Sequence, residues 1–457
     1  MTSDTSKRIR PSTNLRTLRP VAGLLLTSAL GVSLVFGCRK AAPDEEVNGG
    51  NLGNGGTASV GGTGNWGGSA GNTSLPDGGL VQCDRPEPPA DATFSKPKLL
   101  EAAADCAMYQ YCRFEGAAAA MRDAAKAFAG SPDDATKREN ARVAWRDAIN
   151  VWEEAELFSF GPAAAVTEPG GKDFRSLIYA WPLNGRCKVD EQTVSRFYET
   201  PDFFGPPTHS TITGRTLQAV EYLAYYEGMD NGCHQLSPIN TQHTWSSLDP
   251  VELTRRKAAY AAAAAEDVFA NARALNEAWR PDQGNFRATL TQPGNTVFAN
   301  EQAALNAISD ALYYLEVQVK DHKLALPLGA SEKCPKPCLE ALESRWANAS
   351  LEHIRANLRG FRSLFQGCGA DHAGIGFDDL LSAIDHGALA TQMLQALDAA
   401  EAAAAGVDIP LQQALVQDEA RVSALHEAVR GVATLLKSEF LSVLNLQRPK
   451  SAPTDND

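Results

Sequence analysis

The chain has 457 residues, and its 42 basic side chains stand against 55 acidic ones for a formal net charge of −13. That balance excludes a protein that grips nucleic acid or anionic lipid through a basic face. Hydrophobic residues make up 44% of the sequence, enough for a sizeable buried core.

At the N-terminus, Lys7, Arg8, Arg10, Arg16 and Arg19 precede an apolar run over residues 21–36 that ends in Gly37-Cys38. This order is that of a secretory signal peptide, and about 16 apolar residues fall short of the roughly 20 that span a bilayer. Val35-Phe-Gly-Cys38 is similar to a lipobox, so lipid attachment at Cys38 and cleavage before it are expected. More than one acyl chain would make that anchor stable. Arg39 follows the cysteine, which by similarity to bacterial lipoproteins implies the outer membrane. Loss of residues 1–37 removes five basic and one acidic residue, leaving 37 against 54.

Residues 38–89 are dominated by Gly, Asn, Ser and Thr, as in GGNLGNGG at 49–56 and GGTGNWGG at 61–68. Such a composition builds no core. A flexible tether of ~50 residues would span about 40 Å.

From residue 90 onward, apolar residues recur at three- and four-residue steps within alanine-rich segments. The periodicity predicts helices near 97–129, 135–158, 210–227, 250–281, 297–322, 338–366, 387–404 and 411–444. Strand-like alternation is nearly absent, so the fold class is all-α, as packed antiparallel bundles. One long irregular stretch stands out between helices: Gly161-Pro162 and Trp181-Pro182 bracket Glu168, Asp173 and Arg175 and lead to the Phe203–Pro207 turn. A connector that long points to function.

Nine cysteines minus Cys38 leave eight, an even number in an exported chain, so up to four disulfides are expected. Cys106 and Cys112 are six residues apart on one predicted helix and point away from each other, so each needs another partner. Cys334 and Cys338 lie in a proline-broken loop and either close on each other or bind a metal; no second Cys or His pair at zinc spacing accompanies them, which favours closure.

Several motifs together resemble the imelysin family, also described as peptidase family M75. Trp145, Trp152, Glu156, Phe160, Gly161 and Pro162 reproduce the spacing of its W-x-x-x-R-x-x-W-x-x-x-E-x-F-x-F-G-P block, with Ile149 in the arginine place. Asp173 and then Trp181-Pro182-Leu183-Asn184 are similar to its D…W-P-x-(D/N) segment. Asp321 to Gly329, Glu343 to Ser350, Asn357 to Gly360 and Gly374 to Leu380 resemble its later blocks, in the family's order. Its signature, G-x-H-x-x-E, aligns with Thr216, Gln218 and Glu221, so the histidine place holds an amide.

The resemblance implies two packed helical bundles, about 97–240 and 250–446, with the signature between them. It makes Glu221, Gln218 and Glu156 the candidate metal or ligand residues, and Trp145, Trp152, Gly161, Pro162, Asp173, Trp181 and Pro182 structural motif positions; by position, His209 near the start of the signature helix and His322 beside Asp321 are the histidines that could stand in for the missing one, and a cap or packing role is the alternative for each. An amide oxygen is a feeble transition-metal ligand beside an imidazole, so weak, oxygen-dominated binding of iron or calcium is the metal chemistry expected. No catalytic residue is assigned. His426-Glu427 lacks the second histidine of a metalloprotease helix, and Gly329-Ala-Ser331-Glu-Lys333 departs from a nucleophile elbow.

The resulting expectation is a lipid-anchored, extracytoplasmic, non-catalytic binding protein of iron or metal acquisition, facing the membrane and an iron-transport partner but no nucleic acid. A metal-dependent peptidase of the M75 type and a ligand-free docking module are the alternatives.

Overall fold

The computed structural model describes residues 73–74, 80–91, 93–183, 185–206, 212–330, 334 and 336–446. The signal-like segment, Cys38, most of the tether, Asn184 and His209 lie outside the described residues. Within them the chain is all-α apart from a two-residue antiparallel pair, Thr73–Ser74 with Leu80–Val81. No helix there is long and apolar enough to cross a membrane.

The helices begin where the sequence supplies a cap. Ser95 accepts from the Lys98 amide ahead of Lys96–Ala129, and Asp134 accepts from the Thr136 and Lys137 amides ahead of Ala135–Ala155. Asp249 and Asn300 do the same for Pro250–Trp279 and Glu301–Leu312. Each cap gives a side-chain acceptor to an amide that the helix cannot satisfy.

Lys96–Ala129 runs along both Ala135–Ala155 and Pro250–Trp279. Buried alanines line these contacts, among them Ala104, Ala107, Ala118, Ala261, Ala264 and Ala265, and small side chains let helix axes approach. The first set of helices thus runs past residue 250, because Pro250–Trp279 packs on Lys96–Ala129 and on the short helix Leu217–Tyr225. The second set joins Ser350–Gln366, Gly387–Gly406 and Glu419–Leu435 with the π-helix Leu315–Ala325.

Ser350–Gln366 links the two sets. Its Leu351, Ile354, Leu358, Phe361 and Phe365 are buried at helical spacing, and another face meets Ala135–Ala155. A Cβ on Gly360 would lie 2.6 Å from the Glu154 carbonyl oxygen, so glycine there sets how closely the two helices approach.

Four disulfides join Cys83 to Cys112, Cys106 to Cys368, Cys187 to Cys233 and Cys334 to Cys338. Cys106 and Cys112 take separate partners, as their helical spacing requires, and the Cys334/Cys338 loop closes on itself.

Three predicted helices are interrupted. The segment expected over 338–366 becomes helical only at Ser350, after a short 3-10 turn at Leu339–Ala341. The segment expected over 297–322 leaves α geometry at Leu312 and continues as the π-helix. The last changes register at Asp418, whose ψ of 59° breaks it into Leu411–Gln417 and Glu419–Leu435. The first two interruptions carry residues of the buried polar site.

Candidate functional site

Helix Leu217–Tyr225 is buried over nearly its whole length. The Trp145 indole N–H donates to the Leu217 carbonyl at 2.8 Å and the Tyr225 hydroxyl donates to the Arg142 carbonyl at 2.8 Å, which fixes the helix against Ala135–Ala155. Trp145 therefore acts as a structural clamp.

Glu221 points inward from this helix with no exposed surface. Its Oε1 accepts from the backbone N–H groups of Trp346 and Ala347, each at 3.1 Å. These amides come from the irregular 342–349 segment, where Asn348 sits at φ 53°. Glu221 Oε2 is buried and meets no donor, and Gln218 Oε1, one turn earlier, is also buried without one. Burial pushes the Glu221 carboxyl up to about 7, against the opposing pull of the Ala347 amide, the His353 charge and the Trp346 amide.

A second buried group lies close in the fold. Lys323, from the π-helix, places Nζ 2.5 Å from Glu153 Oε2, 2.8 Å from Asn357 Oδ1 and 3.0 Å from Glu343 Oε1. The Tyr179 hydroxyl donates to Glu343 Oε1 at 3.0 Å, and Asn357 donates to Glu153 Oε2 at 2.9 Å. His353 Nδ1 lies 3.1 Å from Glu343 Oε2 and 3.4 Å from Glu153 Oε1, while its Nε2 has no partner. Burial and then the neighbouring Glu343 charge raise Glu153, whereas Glu343 is held low by Lys323 and His353 in spite of its burial. The two carboxylates raise His353 although burial opposes that.

Glu153, Glu343 and His353 bring ligand atoms within 4.8 Å of one another. The Lys323 ammonium already bonds both carboxylates, so this set is an internal ion cluster, in which Glu153 Oε1 and His353 Nε2 are left without a hydrogen-bond partner. Neither Glu221 nor Glu156 belongs to such a group of three among the described residues.

Glu156 is buried beside that cluster, where its charge helps to raise Lys323, and accepts from Arg175 Nε at 2.6 Å and from the Tyr314 hydroxyl at 2.5 Å. Glu156 and Glu221 thus each have their own donors. Asp173, at φ 61°, accepts from the Ser176 hydroxyl at 2.8 Å. Gly161, at φ 58°, lies against the Phe286 ring, which a Cβ would meet at 2.1 Å; glycine is required both by the backbone and by the ring. Pro162 accepts from the Lys172 amide, holding the irregular segment closed. Trp152 packs on Phe114 at 4.7 Å. The Trp181-Pro182 peptide is cis, and Trp181 meets the His322 ring edge-on. His322 is half-buried, its Nδ1 is 3.0 Å from Gln318 Oε1, and burial lowers its pKa.

Sequence reasoning singled out neither Glu153 nor His353. Lys323, Glu343 and Asn357 do fall inside motif blocks noted above. His353 and Glu153 share a signal: each is a polar residue on the inward face of an amphipathic helix.

Residues 107–438 match the family described as Imelysin, Peptidase_M75. Iron-regulated protein A of Synechococcus elongatus is 23% identical over 316 residues, spanning 68% of this chain and 76% of the relative. Two crystal structures share the fold. A protein from Parabacteroides distasonis, assigned as an iron-regulated protein A precursor, superposes with a TM-score of 0.57 at 15% identity, covering 78% of this chain and 97% of that one. An imelysin-like protein from Psychrobacter arcticum 273-4 gives 0.55 at 18% identity, covering 79% and 98%.

Proposed function

Because the chain belongs to the imelysin family, we propose that it is a lipid-anchored extracytoplasmic binding protein of iron acquisition that holds a hard cation at Gln218 and Glu221 and does not hydrolyse peptides. The observation that carries this reading is the pair of buried, donorless oxygens, Glu221 Oε2 and Gln218 Oε1, one turn apart on one helix. Buried acceptors in a native fold are normally satisfied, and an ion or water is the usual explanation where no protein donor serves. A carboxylate and an amide oxygen are hard donors, suited to iron or calcium rather than zinc.

Hydrolysis is disfavoured by the same geometry. A metallopeptidase needs an open coordination position and a base within reach of substrate. Glu221 is enclosed with one oxygen committed to two amides, and in the neighbouring Glu–Glu–His set the Lys323 ammonium already sits on both carboxylates. Four disulfides support an oxidising compartment, and the name of the Synechococcus relative supports the link to iron. The membrane is met through Cys38, and an iron-transport protein is the proposed partner.

Cellular iron measured in a deletion strain under chelator stress tests the reading. Iron should fall on deletion and return with the full chain but not with Cys38→Ala. Unchanged iron in the deletion strain would refute the role in acquisition.

A further inference from the structure

Gln218 fills the place where an imidazole would stand, and the fold brings a different imidazole to the same helix. His353 lies in the first turn of Ser350–Gln366 and is wholly buried. Its ring packs 6.3 Å from the Trp145 ring, whose N–H is bonded to the Leu217 carbonyl at the start of the Gln218/Glu221 helix. Six residues before His353, the Ala347 amide is bonded to Glu221 Oε1, and the His353 charge acts directly on the Glu221 carboxyl.

The two ring nitrogens are used unequally. Nδ1 lies 3.1 Å from Glu343 Oε2. Lys323 and His353 hold Glu343 below the ordinary carboxylate range in spite of its burial, and an ionised carboxylate can only accept. Nδ1 therefore carries the hydrogen and donates it, while Nε2 is buried without a partner. One ring N–H held by a carboxylate, with the opposite nitrogen left open, is the arrangement that orients an imidazole for a metal ion. A histidine that only bridges the ion cluster would account for Nδ1 but leave Nε2 unexplained.

Three buried side chains each leave one atom unmet: Glu221 Oε2, Gln218 Oε1 and His353 Nε2. Two oxygens alone suit calcium as well as iron. An imidazole nitrogen tips the set towards iron, because calcium takes oxygen ligands. We infer that His353 is a third protein ligand of the Gln218/Glu221 site, standing in for the histidine that position 218 lacks, and that it selects iron over calcium. The inference rests on the cation site proposed above. Any proton on Nε2 leaves to solvent as the cation binds, and Glu343 positions the ring without joining the coordination.

Anaerobic equilibrium dialysis of the full-length chain against iron(II) and against calcium, with X-ray absorption at the iron edge of the loaded protein, tests it. The parent should show imidazole scattering around iron and prefer iron(II) to calcium. His353→Gln should lose that scattering and bind iron(II) about tenfold or more weakly, the scale at which even a ligand-orienting partner acts, while calcium binding holds. His322→Gln, which removes the half-buried imidazole beside Trp181, should change neither. Because His353→Gln also takes a partner from Glu343, the parent's own spectrum provides an arm that needs no change at 353: bound iron with no imidazole around it would overturn the inference. Iron binding that Glu221→Ala abolishes and His353→Gln leaves intact overturns this inference alone, whereas no iron(II) binding by the parent overturns the cation site as well.

Discussion

Lys323 Nζ lies 2.5 Å from Glu153 Oε2, and both side chains are wholly shielded from solvent. The ion pair joins the π-helix to Ala135–Ala155 and, through Glu343 and His353, to the helix that links the two sets. Removing one member of a buried pair leaves an uncompensated charge and costs about 3–5 kcal/mol. Lys323→Met should therefore lower unfolding free energy by that amount in urea titrations at pH 7. A loss below ~1 kcal/mol, the scale of an exposed pair, would show that this ion pair does not hold the joined elements together.

Glu221 makes stability depend on pH. Burial raises its folded-state value to about 7 from a usual 4.5. Between those values the folded chain keeps a proton that the unfolded chain releases, so stability is lost as pH climbs from about 4.5 to 7 and then levels off. The full loss is about 3 kcal/mol. Glu221→Gln should gain on the parent chain by roughly this much between pH 5 and pH 8, measured in chelator. A difference that stays flat with pH would show that Glu221 is ionised throughout.

Gly360 separates two helices by the width of a backbone. Gly360→Ala forces a methyl group against the Glu154 carbonyl and should cost about 1–3 kcal/mol by overpacking, despite alanine's better helix propensity. Equilibrium denaturation checks the sign; a more stable variant would mean the helices separate freely there.

The Cys106–Cys368 bridge closes a loop of 262 residues. Replacing both cysteines with serine should destabilise the chain by about 2–5 kcal/mol, with most of the effect on the unfolded state. The melting temperature of the double variant under oxidising conditions measures it. An unchanged melting temperature would contradict the contribution assigned to this bridge.

The helices were legible because the alanine-rich periodicity agrees with the packing, whereas the caps Ser95, Asp134 and Asp249 that fix where three of them start played no part in that reading. The family was legible from spaced tryptophans, glycines and carboxylates. The buried site was only half legible. Glu221 and Glu156 announced themselves by motif, but Lys323 and His353 meet Glu153 and Glu343 only through tertiary packing across four separate elements. Helical periodicity also carried the prediction straight through residues 342–349, where the chain abandons the helix so that Glu343 can reach Lys323 and the Trp346 and Ala347 amides can reach Glu221. Local propensity yields to the site at that point.

The most direct test is equilibrium dialysis of the full-length chain against ferric citrate and against calcium, with bound metal quantified by mass spectrometry for the parent, Glu221→Ala and Gln218→His. The account predicts cation binding that Glu221→Ala abolishes and that Gln218→His strengthens and turns towards zinc, because an imidazole then stands one turn from the carboxylate. Metal retained equally by the parent and Glu221→Ala, or affinity and selectivity unmoved by Gln218→His, would contradict it.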